Sequence, residues 1–69
     1  MNINDCTKGM IVASILNPGG TSYKILRIYK NINKVDVLLN TNSYHTIYDK
    51  CDVDVFVQSN KPDKTDITL

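Results

Sequence analysis

Every side-chain carboxylate in this sequence is an aspartate. There are seven Asp, no Glu and a single alanine, Ala13. Glu and Ala are among the strongest helix formers, whereas Asp competes with the backbone for hydrogen bonds and favours caps and turns. Val, Ile, Thr and Tyr are plentiful instead, and they suit a pleated, half-buried surface. A chain of this kind is expected to build its core from strands.

The apolar residues fall in short runs bounded by turn residues, which is a strand signature. Gly9 opens the run 10–16, and Asn17-Pro18-Gly19-Gly20 closes it. Pro18 presets its φ and the two glycines tolerate positive φ, so this is a turn. The second run, 21–30, breaks its alternation midway. Tyr23 and Ile25 share one face, Leu26 and Ile28 the other. A strand that switches faces usually carries a bulge or bend, here expected near Ile25 and Leu26.

After the turn Asn31-Ile32-Asn33-Lys34 comes the cleanest alternation. Val35, Val37 and Leu39 point one way; Asp36, Leu38 and Asn40 point the other. The turn Asn40-Thr41-Asn42-Ser43 leads to a short fourth strand at 44–48. Asp49-Lys50-Cys51-Asp52 is read as a tight link of 3₁₀ type. Val53, Val55 and Val57 then alternate with Asp54 and Phe56 as a fifth strand. From Gln58 the pattern ends. Residues 59–69 read as a flexible polar tail, with Ile67-Thr68-Leu69 as a docking element at its end.

With 69 residues the chain suffices for one domain, taken as residues 1–58 plus the tail. A domain this small buries only about 60% of the surface of its unfolded chain, so a deep cofactor cavity is not expected. The net charge is +1, too little for a strong non-specific grip on nucleic acid or an anionic membrane. Residues 1–48 hold five cations against Asp5 and Asp36; residues 49–69 hold Lys50, Lys61 and Lys64 against five aspartates. The polar start, 1–8, lacks a signal-peptide core, and no run approaches the roughly 18 apolar residues of a span. A cytoplasmic protein without a membrane partner is expected, with Cys6 and Cys51 as reduced thiols.

Five short strands with short turns, a bent second strand and a tight turn before the last resemble the small SH3-like barrels, a group that includes SH3, Tudor and KOW-type domains. The likeness rests on Gly9-x-x-Val12, Tyr23-x-Ile25 with Ile28, Val35-x-Val37, Ile47, and Val53-x-Val55, and covers about residues 8–58. The resemblance implies an all-β, five-stranded small barrel or strongly bent antiparallel sheet. It also implies binding of peptides, proteins or nucleic acids rather than catalysis, without choosing among them. The acidic first loop and paired groove aromatics of proline-binding SH3 domains are missing, as are tryptophan and an aromatic cage. Proline-rich and methyl-lysine ligands are therefore disfavoured.

Catalytic and metal chemistry find little support. His45, the sole histidine, has no neighbouring nucleophile or carboxylate in a pattern that would activate it. Cys6, His45 and Cys51 match no zinc-ligand spacing. Asp49, Asp52 and Asp54 lack the glycine and distal Glu of a calcium loop. Gly19-Gly20 lacks the Lys-Ser/Thr of a phosphate loop. No cofactor and no enzymatic activity are expected.

Two surfaces stand out. If the valines of strands three and five are buried, Leu38 and Phe56 face out. With strands four and five paired, Tyr44, Tyr48 and Phe56 then form an apolar patch rimmed by Asp52 and Asp54, the mark of a protein-binding site. The expected role is a non-catalytic binding module. The chain is of the size of the small modulators and inhibitors that phages and other mobile elements encode. The alternative is nucleic-acid binding through Lys24, Arg27, Lys30 and Lys34 with Tyr29 interleaved. Self-association through the apolar patch is a third reading.

Overall fold

The computed structural model describes residues 1–65. Ile67-Thr68-Leu69, expected as a docking element, lie outside the described residues. The fold is all-β: β1 (Ile11–Ser14), β2 (Ser22–Tyr29), β3 (Lys34–Leu39), β4 (Ile47–Asp52) and β5 (Phe56–Gln58) form one antiparallel sheet in the order β4-β3-β2-β1-β5. Among the described residues the helical segments are three 3₁₀ turns, at Ile3–Asp5, Lys30–Ile32 and Val53–Val55. No helix there is long and apolar enough to cross a membrane.

Turn chemistry joins the first three strands. Gly9, at φ +89°, gives its N–H to the Ile25 carbonyl at 2.8 Å and extends the β1–β2 pairing. Gly20 leaves room for the Asn17 side chain, which a Cβ placed there would overlap. Asn33 closes the β2–β3 connection in the left-handed region at φ 59°, which asparagine tolerates. The bend expected in the second strand is present: the register with β3 shifts between Ile25 and Arg27, making Leu26 the extra residue. The bulge carries Ile28 to the side of the sheet that Ile25 occupies, where both reach the main core.

That core is formed by Cys6, Val12, Ile25, Val35, Val37, Val53 and Phe56. Met1, Ile3, Met10, Tyr23, Ile28 and Cys51 pack around it. Both cysteines are free, and burial pushes both thiols up from their usual value.

Several expectations need correction. The third connection spans residues 40–46, closed by Leu39 N–H donating to the Thr46 carbonyl at 2.8 Å. Strand four therefore begins at Ile47, and Tyr44 and His45 lie in the loop. Val53–Val55 is a 3₁₀ turn started by Asp52, whose carboxylate accepts the Asp54 N–H at 3.0 Å. The turn resets the alternation, so Phe56 is 6% exposed and Val55 is 47% exposed, the reverse of the strand reading. β4 and β5 lie at opposite ends of the sheet order and do not pair. Ile47, one of the residues that carry the barrel likeness, is exposed.

Leu38 is the largest correction: it is fully buried. Both sides of β3 are covered, so alternation cannot tell inside from outside there. Cross-strand pairing sets Ile11, Lys24, Leu38 and Ile47 in one row, on the side opposite Val12, Ile25 and Val37. Residues 59–65, which looked like a tail, cross this second side. Ser59 N–H donates to the Ile11 carbonyl at 2.9 Å, and Lys24 Nζ meets Asp63 at 3.0 Å and the Thr65 hydroxyl at 3.1 Å. Asn40 uses all its amide groups. Nδ2 donates to Ser22 Oγ and to the Pro62 carbonyl, both at 2.9 Å, and Oδ1 accepts the Lys64 N–H at 2.7 Å. Leu38→Ala is expected to cost about 2–3 kcal/mol, at the low end for a buried leucine because the crossing segment can settle into the gap. Urea unfolding would read it; a loss under about 0.5 kcal/mol would return Leu38 to the surface.

Candidate binding site

The end of the sheet where β2 begins and β3 stops opens into a cleft of about 550 Å³. Tyr23, Tyr44 and Tyr48 line it together with Lys61 and Lys64, and no carboxylate lines it. Tyr48 stands on β4 and packs edge-on against Tyr23, with ring centroids 5.8 Å apart and planes at 86°. Tyr23 in turn packs against Phe56 at 5.8 Å. The aromatic row thus runs from solvent inward, and each ring props the next. Tyr44 is 60% exposed and Tyr48 45% exposed.

The two lysines are positioned by the crossing segment. Lys61 donates its ammonium to the Gly20 carbonyl, and Lys64 is anchored through its backbone N–H by Asn40. Asp63, between them in sequence, is turned to the sheet. Its carboxylate accepts from the Thr65 hydroxyl at 2.7 Å, from the Thr65 N–H at 2.9 Å and from Lys24. These contacts lower its pKa to about 2, the Thr65 hydroxyl contributing most.

Of the residues expected to form the protein-binding patch, Tyr44 and Tyr48 are brought together in this cleft. Phe56 lies behind Tyr23 in the core, and Leu38 is buried on the other side of the sheet. Asp52 caps the 3₁₀ turn and, with Asp54, is exposed away from the cleft lining. The basic set is dispersed. Lys24 is engaged by Asp63 and Thr65. Arg27 lies opposite Asp36, and Lys30 sits in the 3₁₀ turn after β2. Lys34 pairs with Asp52 across β3 and β4. Tyr29 donates its hydroxyl to Asp36 at 2.8 Å, and the Lys50 ammonium lies 5.3 Å from the centre of its ring. Tyr29 is therefore already engaged on both its hydroxyl and its ring.

A second, smaller hollow of about 310 Å³ lies on the other side of β4, lined by Lys8, Leu26, Arg27, Asp36 and Ile47. Between the two hollows β4 runs as an edge strand, paired on one side to β3. Five of its six residues are exposed. Its middle is bulged: Asp49 and Lys50 stand opposite Asp36, and Lys50 adopts φ 49°. Asp36 fixes the bulge by accepting the Lys50 N–H at 2.8 Å.

Sequence reasoning missed Asn40, Lys61 and Lys64. Asn40 carries the same turn signal as Asn42, and nothing in a polar run containing Pro62 marks it as docked. No group of three His, Cys, Asp or Glu side chains among the described residues is placed to share a metal ion. The chain matches no family model, no curated protein and no solved structure.

Proposed function

We propose that this chain is a non-catalytic protein-binding module of SH3-like build whose β4 edge receives an extended segment of a partner. The bulged second strand and the 3₁₀ turn ahead of the fifth strand support that build. The observation that carries the binding reading is the β4 edge. Among the described residues nothing pairs with its outer side, and it presents Ile47 on one face and Tyr48 on the other, 56% and 45% exposed. An added strand would use the free backbone groups for affinity and these side chains for specificity. Edge strands are commonly blunted by charges and bulges. Here Lys50 and the bulge confine pairing to a short stretch, which suits a defined partner better than open-ended growth.

The test is a partner isolated from a host lysate with and without nuclease, followed by binding of Tyr48→Ser. Exposed aromatic anchors of interfaces are worth about 2 kcal/mol or more, so affinity is expected to fall about 30-fold while the far-UV spectrum stays native. Affinity within twofold of the parent would sink the edge reading. Recovery that collapses on nuclease treatment would favour a nucleic-acid ligand.

A further inference from the structure

We infer that the segment received by β4 is acidic, with carboxylates at the positions that flank Ile47 and Tyr48. This rests on the reading of β4 as the docking edge and adds the chemistry of what docks there. The hollows on either side of the strand's beginning are both rimmed by cations. Lys61 and Lys64 line the hollow that Tyr48 enters, Lys8 and Arg27 the one that Ile47 enters. The cleft lining holds no carboxylate. The one carboxylate of the smaller hollow, Asp36, already accepts from the Lys50 N–H and the Tyr29 hydroxyl. Asp63 is likewise occupied by Lys24 and Thr65.

The far end of the strand is different. Asp52 and Asp54 face solvent there, and in the middle of the strand Lys50 neutralises Asp49 across 3.2 Å. The whole chain is close to neutral, so this polarity is local, and it acts within a Debye length of about 8–10 Å. Successive side chains of an extended segment point to opposite faces. The hollow at Tyr48 and the hollow at Ile47 both hold cations, so acidic residues are favoured toward each. A basic segment in the same place would meet like charge at Lys8, Arg27, Lys61 and Lys64, a repulsion that selects partners more than it adds affinity.

The probe is a random peptide library displayed and selected against the full chain, with the selected peptides mapped by amide exchange. Asp and Glu enrichment is expected. So is protection at the start of β4, around Ile47 and Tyr48, with at least a tenfold loss of affinity in the double variant Arg27→Glu, Lys64→Glu. Both of those side chains are exposed. Peptides that protect β4 without acidic enrichment, or that ignore the charge reversal, would overturn the acidic partner and leave the edge reading standing. Selected peptides that leave the β4 amides unprotected, or a library that yields none, would overturn both. Tighter binding of a ten-nucleotide poly(dT) or poly(U) probe, lost in Tyr44→Ser and Lys64→Glu, would assign the cleft to single-stranded nucleic acid instead.

Discussion

Phe56→Ala is expected to leave much of this protein unfolded at 25 °C. The ring is 6% exposed, belongs to the main core, and packs against Tyr23 at 5.8 Å. Truncating a buried phenylalanine costs about 3–5 kcal/mol through lost transfer free energy and the cavity left behind. A chain of this length has a total stability of only about 3–10 kcal/mol. Val12, Val35 and Val53 around it are fully buried on strands or turns with their own pairings, so collapse into the gap is limited. Urea unfolding followed by circular dichroism reads the result. A loss below about 1 kcal/mol would put Phe56 on the surface, where strict alternation from Val53 and Val55 places it. The consequence for function is practical: a Phe56 variant that loses partner binding reports unfolding, whereas Tyr48→Ser reports the site.

The contrast between Phe56 and Leu26 shows which features the sequence could carry. The bulge in β2 is legible because Tyr23, Ile25, Leu26 and Ile28 break a two-residue period in a way only an inserted residue repairs. The turns at Asn17-Pro18-Gly19-Gly20 and before Lys34 are legible because Pro, Gly and Asn have specific backbone preferences. Phe56 is not, since Val-Asp-Val-Phe-Val reads as one strand and only the Asp52 cap converts its first half to a 3₁₀ turn. Leu38 fails for another reason. Its cover is a polar segment of 59–65, held through Asn40, Lys24 and Ser59 rather than by apolar contacts that hydropathy could register. The candidate site divides along the same line. Tyr44 and Tyr48 are visible as aromatics beside a strand, while Lys61 and Lys64 reach the cleft only because contacts more than twenty residues apart in sequence place them.

Asp36→Ala is expected to destabilise the fold about as much as Phe56→Ala, by a different route. Asp36 is 8% exposed on β3 and holds two donors, the Lys50 N–H and the Tyr29 hydroxyl, each at 2.8 Å. Hydrogen bonds to a charged acceptor are worth about 1.5–3 kcal/mol each, and their loss here totals about 3–5 kcal/mol. The bulge loses its anchor, and Lys50 is left in a left-handed conformation that lysine rarely adopts. Burial alone would push the carboxyl pKa up. The Lys50 amide, the Tyr29 hydroxyl, and smaller effects of Asp49 and the Lys50 ammonium outweigh it and hold the pKa below the ordinary 3.8. The ionised form therefore favours the folded state. Its contribution is present above about pH 4 and is lost as pH falls through the lowered folded value. Asp63, lowered to about 2, acts in the same direction over the same acid range. Asp36→Asn keeps an acceptor for Lys50 but removes the charge, so it should lose less stability at pH 7 than Asp36→Ala and show a flatter decline below pH 4. Acid titration of the parent, Asp36→Asn and Asp63→Asn separates the two carboxylates. Identical acid profiles for the parent and Asp36→Asn would mean that Asp36 holds the bulge as a dipole acceptor and that its charge contributes nothing to the β4 edge.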